Sequence, residues 1–294
     1  MIDFIKTNKW VYLTFLSLIW GSSFILMKKA LIGLDPIAVG AFRILFTASF
    51  LVITGFRKLK LIQRKHWKYI VISAFVGTFF PAFFFATAIA QIDSSIAAVL
   101  NSLVPLNTLI LGVLFFGFDF KPKALLGVLI GLVGTLILIL KGAALNPDQN
   151  YWYASLILLS AMGYAINVNI IKKYLSDLNA VSMTLGNFVV LIIPTALVLI
   201  FTGFFDDFQM GPTQIDSFIY LAILAIIGTA FAKIVFNRLV QISTPVFASS
   251  VTYLIPIVAL CWGVWDGEEV AWQQLSGAIF ILLGVYLTNR FMRD

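Results

Sequence analysis

Apolar residues in this chain do not alternate with polar ones; they run on in long blocks broken by short polar stretches. Ten such blocks lie near residues 10–28, 36–56, 68–90, 94–117, 123–141, 151–171, 180–203, 216–240, 244–265 and 271–290. One crossing of a bilayer's hydrocarbon core takes about 20 apolar residues, so each block predicts a membrane-spanning helix. Two helix starts carry cap signals: Ser94 and Ser95 after Asp93, and Ser243 and Thr244 ahead of Pro245. The first block, with Lys6 and Lys9 in front of it, has the outline of a signal peptide. It lacks a small-x-small cleavage site, because Trp20-Gly21-Ser22-Ser23-Phe24 follows, so it reads as a retained first helix.

Composition removes the soluble alternatives. Of 294 residues 61% are hydrophobic and 11% charged, with mean hydropathy +1.01. A soluble domain carries roughly 25% charged residues, and this chain is too poor in them to cover a water-facing surface. The lone cysteine, Cys261, rules out an intramolecular disulfide or a cysteine-based zinc cluster. A net charge of +7 would suit a nucleic-acid partner, but fifteen of the twenty basic residues fall on the N-terminus, the C-terminus and alternate loops, while most acids fall on the other side. That bias predicts both termini in the cytoplasm and leaves no nucleic-acid partner to invoke. The basic run Arg57–Lys68, which includes the only histidine, His66, reads as a solvated loop beside anionic lipid headgroups.

The chain also repeats itself at an offset near 150 residues. Gly77-Thr78 matches Gly228-Thr229, Gln91-Ile92 through Pro105 to Gly112 matches Gln241-Ile242 through Pro256 to Gly263, and Gly127 with Gly134 matches Gly277 with Gly284. The copies divide at residues 1–145 and 146–294, with five helices each. Five is odd, so the second copy threads the membrane in the opposite sense. The expected fold is therefore an all-α integral membrane protein of two inverted five-helix repeats, with cargo bound between them near the midplane. The sequence resembles the EamA family of the drug/metabolite transporter superfamily. The resemblance rests on Trp20-Gly21-Ser22-Ser23-Phe24, Pro36 with Ala41-Phe42-Arg43, and Asn101-Ser102-Leu103-Val104-Pro105. In the second copy it rests on Ser249 through Pro256, Gly263, Asp266-Gly267-Glu268-Glu269 and Gly277. It departs from the family after helix 4, where Gly117-Phe118-Asp119 replaces the usual Gly-Glu pair, and in helix 7, where Asn187 stands near the counterpart of Arg43. The resemblance implies movement of small metabolites across the inner membrane, often as efflux.

Polar groups inside the spans are the candidate cargo contacts, because in hydrocarbon each needs a partner or a water-filled cavity. Two cations, Arg43 and Lys233, lie within spans, and no span carries Asp, Glu or His near its centre. Either the long stems snorkel to an interface or the heads line a cavity; in a cavity they favour a carboxylate- or phosphate-bearing cargo, such as an amino acid or organic acid. A carboxylate proton relay is excluded. Pro105 and Pro256 occupy matching positions in helices 4 and 9, and paired helix breaks point to a transporter's binding site. Around them Trp20, Ser23, Asn101, Tyr164, Asn167, Asn237, Ser249, Ser250 and Tyr253 complete the candidate lining. Gly127, Gly131 and Gly134, with Gly277 and Gly284, form small-residue stripes for close helix packing, within the chain or along a homodimer seam. No cofactor is called for. A membrane enzyme lacks a clustered nucleophile, base or metal set here, a scaffold would carry a soluble domain, and a channel-like permease for uncharged solutes is the competing transport mode.

Overall fold

Short polar side chains set the helix starts by accepting from backbone N–H groups that have no partner within the helix. Asp35 takes those of Ile37 and Ala38 at 2.9 and 3.0 Å, Asn179 takes those of Val181 and Ser182, and Thr244 takes that of Phe247, with Pro36 and Pro245 in the first turns that follow. A computed structural model describes residues 8–92, 97, 100–119, 122–143, 150–265 and 272–291. The expected caps Ser94 and Ser95 and the Asp266–Glu269 stretch lie outside these residues, as does the side chain of Cys261. The described residues form helices joined by short turns and loops, with no strand among them.

The principal helices are α1 (Lys9–Ala30), α2 (Pro36–Gly55), α3 (Arg64–Ile89), α4 (Val104–Phe116), α5 (Pro122–Ala143), α6 (Ala154–Tyr174), α7 (Ala180–Phe201), α8 (Pro212–Ile242), α9 (Pro245–Ser249 and Val251–Trp265, joined through Ser250) and α10 (Trp272–Phe291). Six of them, α1, α2, α3, α6, α7 and α8, are long and apolar enough to cross a membrane, and the others contribute shorter apolar stretches. Helices α3 and α8 begin about a turn earlier than the apolar blocks do. Pro212 opens α8, and the Gln214 side chain accepts from Gly211 N, so polar first-turn residues are helical without being apolar. Burial is inverted relative to a water-soluble fold: Ile53, Phe201 and Phe115 are 84%, 82% and 71% exposed, while Thr47, Ser73, Thr184 and Asn169 are fully buried. Such a surface belongs in lipid, and this is a multi-pass membrane protein.

Two helices share a local irregularity. A widened π-helical stretch interrupts α3 at Phe75–Phe79 and α8 at Leu224–Phe231, and each contains the repeated Gly-Thr dipeptide, Gly77-Thr78 or Gly228-Thr229. Each glycine lets its helix press on a neighbour. A Cβ at Gly77 would overlap the Asn167 side chain of α6, and one at Gly228 would come within 2.7 Å of Ser23 Oγ on α1.

Helix neighbours form a closed ring: α1 packs on α9, α9 on α4, α4 on α6, α6 on α3, α3 on α2, α2 on α8 and α8 back on α1, with α7 laid against α2 and α3. Exchanging α1–α4 with α6–α9 maps most of these pairings onto one another; α1 on α9 becomes α6 on α4, and α1 on α8 becomes α6 on α3. Outside the ring lie α5 and α10, held together by their glycines. A Cβ at Gly134 would stand 2.6 Å from Ile281 N and 2.7 Å from Gly277 O, and one at Gly284 would collide with Gly131. The stripes therefore face each other within one chain, and a homodimer would have to use another surface.

One end of the bundle is tied by polar groups. Lys172 Nζ donates to Ser243 O and Gln241 O at 2.6 and 3.1 Å, and Lys173 Nζ donates to Phe116 O at 2.7 Å. Both lysines, in the last turn of α6, thus satisfy carbonyls left open at the ends of α4 and α8. Tyr69 stacks on Tyr174 at 4.0 Å. His66 corrects the solvated-loop expectation: its ring is buried and meets the Asp177 carboxylate at 3.1 Å, while Lys65 reaches the same group at 2.9 Å. The sequence run looked uniformly basic, but its helical start turns His66 inward. At the other end Phe42, Phe204, Phe208 and Phe218 make an apolar ring cluster with centroids 4.6–5.9 Å apart.

Candidate functional site

The two intramembrane cations meet the two widened turns, each reaching into the opposite repeat. Arg43 of α2 donates through Nε to Thr229 Oγ1 at 2.8 Å, and that hydroxyl donates in turn to Leu224 O, five residues back, at 3.1 Å. Lys233 of α8 donates to the Gly77 carbonyl and, at 2.9 Å, to Thr78 Oγ1. The α8 turn is fastened from a third side, since Trp20 Nε1 donates to Gly228 O at 3.0 Å. A π-helical turn disturbs the regular helical pairing, so its carbonyls and threonine hydroxyls are free to receive cations that hydrocarbon could not.

Between these contacts lies a cavity of about 120 Å³. A buried water needs roughly 10–15 Å³ by this measure, so the space suits a small metabolite or several waters. Of the expected contacts, Trp20, Ser23, Arg43, Asn101, Tyr164, Asn167, Lys233 and Ser249 line it. Its apolar walls come from Phe24, Met27, Phe85, Val104, Phe236 and Ile255, and its described lining contains no carboxylate.

Five expected contacts are placed elsewhere. Asn237 is spent on Thr184 Oγ1 at 2.9 Å, tying α8 to α7. Tyr253 points outward, donating to Val128 O at 2.9 Å and seating its ring where a Gly131 side chain would be. Ser250 is buried with its hydroxyl on Phe247 O. Pro105 sits in the first turn of α4, after a turn at Ser102-Leu103, so it starts a helix instead of breaking one; Pro256 stays inside α9, and neither lines the cavity. The helix breaks in α4 and α9 are real, but they lie ahead of the prolines and not at them. Asn167 lines the cavity while also accepting from Ser73, which accepts from Asn187 Nδ2 at 3.1 Å, a polar chain through α6, α3 and α7.

Sequence reasoning missed Thr78 and Thr229. The signal was present in the repeated Gly-Thr pair, but a π-helical turn has no composition of its own, and nothing in the sequence marks the carbonyls it releases.

The two cations differ in what they have left. Both line the cavity; Lys233 has placed two of its three N–H donors on α3, whereas Arg43 has placed only Nε, so its two terminal amino groups have no hydrogen-bond partner among the described residues. Tyr164, on the same lining, likewise has no hydrogen-bond partner among them for its hydroxyl.

A ring of apolar helices around a largely apolar cavity that holds two cations, built from two copies of one unit, fits one class: a membrane transporter. The EamA-like transporter family matches residues 8–140 and again residues 151–290, and the chain belongs to that family, within the drug/metabolite transporter superfamily. It is 24% identical over 284 residues to the Escherichia coli uncharacterized inner membrane transporter YedA, covering 92% of this chain and 90% of that one. At 22% identity it is similar to the Bacillus subtilis uncharacterized transporter YoaV, over 93% and 94% of the two chains. At 24% identity it is similar to a Salmonella typhimurium probable amino-acid metabolite efflux pump, over 92% and 90%. A crystal structure shares the fold with TM-score 0.74 at 13% identity, over 97% of this chain and 98% of that one.

Proposed function

We propose that this chain is a ten-span secondary carrier of the inner membrane that moves a small carboxylate-bearing metabolite, in the direction of efflux, by alternating access. The observation that carries the reading is the Arg43 guanidinium on the cavity wall, held by its Nε, with both terminal amino groups without a partner among the described residues and no described carboxylate in the lining. A planar fork of this kind matches a carboxylate in a two-pronged, charge-assisted contact. The two halves divide near residue 145 and run in opposite senses, with both termini in the cytoplasm. Supporting this arrangement, the helix pairings largely survive exchange of the halves. The names of the Escherichia coli and Salmonella relatives support the location, the direction and the cargo class.

The test is flux in proteoliposomes with a panel of amino acids, organic acids and sugars, with and without an ion gradient. Saturable uptake with counterflow, confined to carboxylate-bearing compounds, is the expected result. Linear, unsaturable flux would make the protein a channel, and saturable flux of sugars alone would remove the carboxylate.

A further inference from the structure

Resting on the reading of the chain as a carrier, we infer that α7 is the gate at the polar end of the bundle. Its first two turns swing away from α3 and α8, and the seam they leave becomes the water-lined route between the cavity and that side of the membrane. α7 meets these two helices through polar pairs at two levels. At the outer level Asp177, just ahead of α7, takes Lys65 and His66 of α3, and Leu178 O accepts from Gln241 Nε2 of α8 at 2.7 Å. At the inner level Asn187 Nδ2 donates to Ser73 Oγ of α3 at 3.1 Å, and Asn237 Nδ2 of α8 donates to Thr184 Oγ1 at 2.9 Å. Ser73 in turn donates to Asn167, which stands at the cavity wall. Polar groups thus mark the seam from the rim of the bundle to the cavity.

The seam suits water better than permanent closure. Asn187 and Asn237 are 2% and 1% exposed, and the Oδ1 atom of each is buried with no partner among the described residues. An orphaned buried acceptor is costly and hydrocarbon holds no water to satisfy it, so apolar side chains of the same shape would fix α7 in place at less cost. When α7 parts from α3 and α8, water pairs with these two oxygens and with every donor the parting releases. The symmetry-related seam is built differently. There α2, the counterpart of α7, meets the start of α8 through Phe42 and Phe46 against Phe218, with ring centroids 5.1 and 6.1 Å apart. Rings close that end by contact alone and leave nothing for water to satisfy.

The experiment is thiol labelling of the full-length protein in proteoliposomes, with Cys261→Ser so that only an introduced cysteine reacts. Ser73→Cys, Thr184→Cys and Asn187→Cys are made singly, and the reagent is sulfonatoethyl methanethiosulfonate, which is charged and does not cross lipid. Ser176→Cys, exposed at the same end, reports which side of the membrane that end faces. Ile193→Cys, 72% exposed on the outer surface of α7, is the lipid-facing control. The seam cysteines are expected to react from the same side as Ser176→Cys, and faster once Asp177→Asn and Gln241→Ala remove the outer ties. Ile193→Cys is expected to stay unreacted. Three sites on two helices guard against one variant that fails to fold. Labelling of Asn187→Cys is also expected to abolish saturable flux. If no seam cysteine reacted, with or without the outer ties, or if they reacted only from the side opposite Ser176→Cys, the gate would be overturned. Unchanged flux through fully labelled Asn187→Cys protein would reduce the seam to a hydrated crevice and overturn the route. Carboxylate flux with inert seam cysteines would sink this inference alone, whereas reactive seam cysteines without carboxylate flux would sink the cargo reading and leave the gate.

Discussion

The two widened turns are copies of one device used for different ends. In α3 the Gly77-Thr78 turn takes two donors from Lys233 and leaves that ammonium largely spent; in α8 the Gly228-Thr229 turn takes one donor from Arg43 and leaves the rest of the guanidinium free. The local backbone is the same and so is the Gly-Thr pair. What differs is the geometry of the visiting cation. An ammonium is a point charge that folds onto the nearest acceptors, whereas a guanidinium can be pinned at Nε and still present a fork. Two cations that look equivalent in the sequence therefore divide into one spent on a cross-repeat tie and one with donors left over, the group proposed to meet the cargo.

That contrast predicts unequal mutants. The largest effect is expected at Arg43: Arg43→Gln should lower carboxylate flux in proteoliposomes by roughly 100-fold or more, the equivalent of losing two charge-assisted bonds, with little change in melting temperature in detergent. Lys233→Met should show the reverse balance. It removes the tie and strands Gly77 O, so the melting temperature should fall by the equivalent of ~1–3 kcal/mol while the remaining folded protein still binds cargo. If both variants lost binding equally with unchanged stability, the division of roles would be wrong. The threonines sharpen the comparison at smaller scale. Thr229→Val should raise KM about tenfold by freeing the Arg43 fork, with Thr229→Ser restoring it, whereas Thr78→Val should do less because Gly77 O still holds Lys233. Smallest is the surface tie at the polar end of the bundle. The hydrogen bond from Lys65, and then that from His66, hold the Asp177 carboxyl below the usual carboxylate range. Its contribution to stability is thus present above that range and lost as pH falls through the lowered value. Asp177→Asn should flatten this acid limb of a thermal-melt profile, by no more than ~1 kcal/mol for a half-exposed pair.

Much of the fold was legible because in a membrane the periodicity question largely disappears: an unbroken apolar block of about 20 residues has one structural outcome. The blocks at 36–56 and 180–203 lie within a residue or two of α2 and α7. Boundaries slipped where polar residues joined a helix, as at Arg64 and Pro212. Residue type was also a guide to which side chains share a cavity, since Arg43, Asn101, Tyr164 and Lys233 line one. It failed where orientation decided. Asn237 and Tyr253 are as polar as their neighbours, yet they face α7 and α5, and a helix position alone does not say which of several neighbours a side chain meets. It failed as well for His66, whose basic neighbours disguised a buried ring. Pro105 misled because a proline marks both a kink and a helix start, and here it is the latter, whereas Pro256 lies inside its helix as expected.

The central claim is that the Arg43 fork receives the cargo's carboxylate while Lys233 remains on α3. A structure of the protein bound to a transported carboxylate tests it directly. The account expects the carboxylate oxygens at roughly 2.8 Å from the two terminal nitrogens of Arg43, with the Lys233–Gly77 contact intact. A carboxylate seated on Lys233, with the Arg43 amino groups turned onto protein carbonyls, would contradict it.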